Sequence, residues 1–194
     1  MSENLKIFDD GRILVKNVVL AYPHVVTPWA LNASDAKRYG VVAILSNKTH
    51  AKEIKQLREH IGQFIKDNKM PKIPSANKFL RDGDESGKTA FENAWTISAS
   101  DKLDRPPVIR IKGEKMSRED DRDELESFEV SGVVADILIR PWKQDNSYGK
   151  KVNANLLAVN FKKIGEALDL GGGVGDTDDV WEDDDDLDDD EDDV

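Results

Sequence analysis

The sequence predicts a mainly β domain, a small and partly open five-stranded barrel with one or two helices, followed by an acidic tail that cannot fold alone. Three observations predict it. Short β-branched runs bounded by turn residues recur through residues 1–170 without a βαβ rhythm. One early segment switches to helical period. The chain then ends VWEDDDDLDDDEDDV, where dense like charge repels itself and almost nothing apolar is available to bury.

The elements follow in order. RILVKNVVLAYP (12–23) reads as the first strand and RYGVVAILS (38–46) as the second. In THAKEIKQLREHIGQFIKDN, Ile54, Leu57, Ile61, Phe64 and Ile65 recur at helical spacing, Thr49 can cap the start, and Pro71 lies just past the end. MPKIPSANKFLRDGDESGKT (70–89) contains two prolines and two glycines and reads as a long loop. AWTISAS (94–100) and PVIRIKG (107–113) are short strands, and the acidic stretch after Gly113 is a solvated loop or a short helix. FEVSGVVADILIRPW (128–142) reads as one long strand whose apolar parity switches at Gly132, which fits a bulge or sharp bend. DNSYG then turns the chain back into KKVNANLLAVNF (150–161), a hairpin. GGGVG (171–175) is a linker into the tail. At this size an OB-fold is the leading barrel, spanning residues 1–170, with 171–194 as linker and disordered acidic tail.

Charge is divided unevenly. Residues 171–194 carry fourteen Asp and Glu and no Lys or Arg; removing them from the net charge of −11 leaves +3 for residues 1–170. A second acidic cluster, Glu114 to Glu129, holds eight acids against Lys115, Arg118 and Arg122, so the rest of the body is more basic still. A basic body with an acidic tail points to nucleic-acid binding with an interaction segment. The absence of cysteine excludes disulfides, thiol catalysis and thiolate metal sites. MSENLKIFDDGR has no apolar signal core and no long apolar run occurs, which leads us to expect a soluble cytoplasmic protein.

Enzyme and metal readings are weak. SGKT resembles the end of a phosphate-binding loop, but the glycine required five residues before Gly87 is Asp82, and Asp84 and Glu85 would repel phosphate. Asp82, Asp84, Ser86 and Gly87 match the start of a calcium loop, yet the position of its bidentate glutamate is Asn93, with Glu92 one place early. His24, His50 and His60 are scattered, without the clustered partners of a metal or acid–base site. We therefore expect no catalytic residue, no metal and no cofactor.

The chemistry that is supported is single-strand binding, which needs cations along a phosphate track and aromatic faces for bases. NKFLR joins Phe79 to Lys78 and Arg81; in VIRIKG, Arg110 and Lys112 share the face opposite Ile109 and Ile111. Arg140 and Trp142 share the face opposite Ile137 and Ile139, and Lys143, Tyr148, Lys150 and Lys151 surround the hairpin tip. Exposed basic residues are also ordinary solvated surface, and Trp95 and Phe161 fit a core better than a stacking platform. Trp29, beside Pro28 in a loop, is compatible with either role. The combination carries the reading.

KFLRDGDESGKTAFENAWTISASDKLDRPPVIR and VSGVVADILIRPWKQDNSYGKKVNANLLAVNFKKIGEALD resemble the bacteriophage OB-fold single-stranded-DNA-binding proteins that end in an acidic tail. In that family an R-D-G-D stretch precedes a strand like WTISAS, an R-P element follows, and a long strand, a glycine turn and an L-L-A-V-x-F-like strand close the barrel. The resemblance covers residues 75–170; earlier residues match only in pattern. It implies coating of ssDNA during phage replication, recombination and repair, in the host cytoplasm, and a tail that docks replication proteins; a homodimer is compatible with it. The tail candidates are Trp181, Asp183, Asp186, Asp190, Asp193 and Val194. Such tails often end in an aromatic residue, whereas this one ends in Val194 with Trp181 near its start. Tethered to the body at an effective concentration of order millimolar, the tail would act as both partner hook and DNA decoy. Rival readings are an acidic DNA mimic or chaperone-like protein, an RNA-binding OB-fold, a metal-dependent factor using Asp82, Asp84 and Glu92, and a tail that serves only solubility.

Overall fold

The computed structural model describes residues 3–170. Five long strands carry the fold: β2 (Ile13–Trp29), β3 (Arg38–Ser46), β5 (Ala94–Lys102), β8 (Val133–Asn146) and β9 (Gly149–Ile164). Four short ones extend it: β1 (Leu5–Ile7), β4 (Leu80–Asp82), β6 (Val108–Ile111) and β7 (Glu114–Lys115). Two helices, α1 (Ala51–Asp67) and α2 (Arg122–Phe128), complete it. One sheet runs β4-β5-β3-β2-β8-β9-β6-β7, with β1 on β2. All pairings are antiparallel except β6 with β9.

The sheet curls without closing. β9 meets the residues before β4 through one parallel bridge, Lys78 to Val152, in which Phe79 N–H donates to Val152 O at 2.9 Å. Curling needs bends, and β2 supplies two at left-handed residues, Asn17 (φ 57) and Tyr22 (φ 48). Each falls where the register slips, against β8 between Val15 and Val18 and against β3 between Ala21 and His24. Asn17 N–H is taken by Asp136 Oδ1 at 2.9 Å and Tyr22 N–H by Ser131 Oγ at 3.0 Å. The inner face holds the core, with Ile13, Leu20, Leu45, Ile97, Ile137, Ile139 and Phe161 almost fully buried.

The helix α1 packs Ile54, Leu57 and Ile61 into this core. Its N-cap is His50, not Thr49. The His50 ring is itself buried, Nε2 donating to Lys16 O at 3.0 Å and Nδ1 meeting the Thr49 hydroxyl at 2.8 Å, so Thr49 orients the cap residue instead of capping.

Two other expectations change. The strand expected from Phe128 begins at Val133; Phe128 closes α2 and stacks on Phe161, centroids 5.8 Å apart. Of the bulge or sharp bend expected at Gly132 the structure has the bend: at φ +104 it is the turn into β8, and the parity switch records a helix end. β2 does not stop at Pro23 but continues to Trp29. Proline is tolerated there because this stretch leaves the ladder, pairing with β3 only at His24–Gly40 and Trp29–Arg38.

The loop expected over residues 70–89 contains a strand, β4, paired with β5, and the turn that follows it is built on local hydrogen bonds. Asp82 Oδ1 accepts Asp84 N–H at 3.0 Å, and Asp84 Oδ1 accepts Asn93 N–H at 2.8 Å. A Cβ on Gly83 would lie 2.1 Å from Phe91 O and 2.7 Å from Ala94 O, so this backbone crossing admits only glycine. The RDGD stretch is therefore a folded corner that spends its carboxylates on backbone N–H groups. Among the described residues no group of three His, Asp or Glu could hold a metal ion.

After β9 the chain crosses Gly132, where Gly165 N–H donates to Gly132 O at 3.1 Å. Leu168 and Leu170 then cover a second apolar cluster of Ala21, Ile44, Phe91 and Ala94, and Ala90 N–H donates to Asp169 O at 3.0 Å.

Candidate nucleic-acid interface

One groove of ≈ 800 Å³ crosses the outer side of β2, β3 and β5, passes the Lys78–Val152 seam, and ends on the β8–β9 hairpin. Five cations line it: Arg38, Lys78, Arg81, Lys88 and Lys151. Among the described residues no Asp or Glu lines it. Three aromatic side chains open into it with part of their surface free: Trp29 (50% exposed), Trp142 (37%) and Tyr22 (36%). Cations without counter-charges make a potential that attracts polyanions, and exposed rings supply faces for bases.

Strand parity sets the hairpin end. On β8, Ile139 and Pro141 point inward, so Arg140, Trp142 and Gln144 point outward. The ladder pairs Trp142 with Asn153 and Gln144 with Lys151, which places those four on one face. Asn153 Nδ2 donates to Gln144 Oε1 at 2.7 Å, tying the two strands together on this face.

The opposite end rests on the bent part of β2. His24 stacks on Trp29, centroids 5.0 Å apart and planes 11° apart. Burial pushes the His24 imidazole below its ordinary value, and the Glu129 carboxylate partly offsets this. Residues 25–27 have no ladder partner on β3; instead Glu129 Oε2 accepts N–H from Val25 at 2.8 Å and from Val26 and Thr27. Arg118 donates to Val25 O at 2.9 and 3.1 Å and to Pro107 O, with its guanidinium 5.0 Å over the Tyr39 ring. The acidic stretch after Gly113 thus braces the bend that presents His24 and Trp29. At the third corner Lys88 Nζ sits 4.8 Å over the Tyr22 ring and donates to its hydroxyl. In the middle, Arg81 Nη2 donates to Ser98 Oγ at 3.2 Å.

Of the residues singled out from sequence, Lys78, Phe79, Arg81, Trp142 and Lys151 line this groove. Phe79 is 3% exposed, so its ring belongs to the core beneath the groove. Lys143 lies on the opposite hairpin face and reaches Asn68 O at 3.5 Å; Lys150 shares that face, its carbonyl accepting from Asn77 Nδ2. Tyr148, 83% exposed, stands at the hairpin turn outside the groove. Arg110 and Lys112 belong to the far sheet edge, where Arg110 Nη1 donates to Gly113 O at 3.0 Å. Arg140 shares the outward face of Trp142 but lies one rung beyond the groove. Trp181, Asp183, Asp186, Asp190, Asp193 and Val194 lie outside the described residues.

Sequence reasoning missed Tyr22, His24, Arg38 and Lys88 and left Trp29 undecided. Simple alternation from the buried Leu20 would have turned Tyr22 and His24 inward; the register slip at Tyr22 turns them out, and Pro23 made the strand look as if it ended there. A second cleft, beyond Lys78, is mixed in sign: Lys55, Arg58 and Lys78 face Glu59, Asp82 and Glu85, with Arg58 4.8 Å over Trp95. It lacks the one-signed field of the first.

Comparison with known proteins is consistent with this geometry. The family described as "Enterobacter phage Enc34, ssDNA-binding protein" matches residues 11–193. The single-stranded DNA-binding protein of bacteriophage Enc34 in complex with ssDNA is 29% identical, with a TM-score of 0.77 over 86% of this chain and 94% of that one. Its C-terminal truncation is 30% identical, with a TM-score of 0.76 over 87% and 94%. A further structure of the Enc34 protein is 29% identical, with a TM-score of 0.74 over 94% and 96%. No curated protein matches this chain.

Proposed function

The chain belongs to the Enterobacter phage Enc34 single-stranded-DNA-binding family, and from that premise we propose that its groove holds ssDNA without strong sequence preference during phage DNA replication, recombination and repair. The observation that carries this is the lining: five cations and three exposed aromatic rings and, among the described residues, no carboxylate. Bases stack on Trp29, Tyr22 and Trp142, each contributing about 1–3 kcal/mol, and phosphates run past Arg38, Arg81, Lys78 and Lys151. Stacking on rings is indifferent to base identity, and cation contacts read only the backbone.

The acidic tail, in this reading, occupies the groove when no strand is bound and docks replication proteins when DNA displaces it. The charge division supports this, since fourteen tail carboxylates complement a body of net charge +3. Lys143 and Lys150, on the other hairpin face, add salt-sensitive phosphate contacts only for a strand that wraps the hairpin tip, where Tyr148 offers a ring.

Fluorescence titration with oligo-dT, using the full chain and a chain ending at Gly171, tests the proposal. Both should bind with tryptophan quenching, the shorter one more tightly, and affinity should fall with salt. Absence of binding by both chains would refute the groove assignment; equal affinity would refute the tail's competition.

A further inference from the structure

We propose that the bound strand continues past the groove along the outer face of β8 onto a second contact station formed by Arg140, Arg12, Phe8 and Lys6, lengthening the binding site. This rests on the ssDNA reading of the groove. The β8–β9 ladder is unbroken from Ile139 to Asn146, so Arg140, paired with Asn155, occupies the next rung after Trp142 and Asn153 on the same outward face. Alternate residues of a strand lie about 7 Å apart, so a strand leaving the Trp142 ring meets the Arg140 guanidinium next.

The N-terminal segment completes the station. β2 pairs Ile13 with Ile139, which brings Arg12 to the Arg140 end of β8. Arg12 Nε donates to Asp10 Oδ2 at 2.7 Å. Asp10 also feels the Arg140 charge: its carboxyl is held below the usual range first by the Arg12 backbone N–H, then by the Arg12 charge and side chain, and finally by Arg140. Phe8 stands beside them, its half-buried ring faced by Lys6 Nζ at 4.8 Å and by the Arg12 guanidinium at 4.9 Å. Arg140 and Lys6 are exposed, and the Arg12 side chain is 39% exposed.

The chemistry repeats that of the groove: guanidinium groups for phosphates and a ring beside them. The difference is the turn at Asp9 and Asp10. Asp10 sits on the Arg12 guanidinium where a phosphate would bind, so the strand must exchange with an internal carboxylate. The station is therefore weaker than the groove and is felt only by strands long enough to reach it.

Length dependence separates the two sites. Oligo-dT of roughly 6 and roughly 15 nucleotides, spanning the range of OB-fold site sizes, is titrated into the full chain, an Arg12→Ala/Arg140→Ala double variant and Asp10→Asn. All three should bind the short strand with the same affinity and salt slope. On the long strand the double variant should lose about tenfold at low salt, with a slope shallower by about 1.4, since each single-strand phosphate contact carries about 0.7. Asp10→Asn should bind the long strand more tightly. Equal loss on both lengths, or no change on the long strand together with no gain from Asp10→Asn, overturns the extension. Failure of the unaltered chain to bind either length sinks the groove reading itself.

Discussion

Replacing Glu129 by alanine should both destabilise the domain and weaken ssDNA binding, because one carboxylate holds the bent end of β2. Its Oε2 accepts the N–H groups of Val25, Val26 and Thr27, which have no ladder partner. Val25 and Val26 are 0% and 3% exposed, so their donors would be left unpaired in a dry place. At about 1–3 kcal/mol for each orphaned buried donor, the loss is about 2–6 kcal/mol. That is a large share of the roughly 5–15 kcal/mol that holds a domain together. With a urea slope of about 1–3 kcal/mol per molar, the unfolding midpoint should fall by roughly 1 M or more. The His24–Trp29 stack sits on the released segment, so ssDNA affinity should fall by about one stacked base, 1–3 kcal/mol. Glu129→Gln keeps an acceptor oxygen and should lose less than half as much on both readouts. A Glu129→Ala protein with an unchanged midpoint and unchanged oligo-dT affinity would refute the reasoning.

Further outcomes follow from the same geometry. Gly83→Ala forces a Cβ to within 2.1 Å of Phe91 O and should cost about 2 kcal/mol or more in chemical denaturation. Trp29→Ala and Trp142→Ala should each weaken oligo-dT binding by about 1–3 kcal/mol, seen by titration, with little change in urea midpoint because both rings are partly exposed. Burial lowers the titration of His24 and His60, so the unfolded chain takes up protons first. Stability is then fully present above about pH 6.5 and is lost as pH falls through the lowered folded values. Replacing both histidines by asparagine should flatten the thermal-melt profile between pH 7 and 5, and an unchanged profile would contradict the assignment.

Much of the architecture was legible because its signals were local. Ile54, Leu57 and Ile61 announce α1 by period, Arg38–Ser46 is a strand by composition, and turn residues at 145–149 announce the hairpin. What was illegible depended on partners distant in sequence. β2 continues past Pro23 only because Glu129, more than a hundred residues later, accepts the N–H groups that the ladder abandons. The same blindness hid Trp29 and His24 from the site. Trp142 and Lys151 were found because one hairpin carries both, whereas Arg110 and Arg140 looked equivalent until the sheet order separated them. Face parity along a strand is readable from sequence; which faces converge is not.

The seam between Lys78 and Val152 has a mechanical consequence. Two sheet edges face each other there, joined by one parallel bridge, by Phe79 N–H to Val152 O, and by Asn77 Nδ2 to Lys150 O at 3.3 Å. Arg81 stands on one side and Trp142 and Lys151 on the other, and all three line the groove. A strand held in the proposed groove would staple this gap, reinforcing the few bonds that join its two sides. Under the proposed binding mode, opening of the seam and release of the strand would become one event. Amide hydrogens at Phe79 and its neighbours should then exchange more slowly by the factor set by ligand occupancy, making the protein's own breathing a direct gauge of its grip.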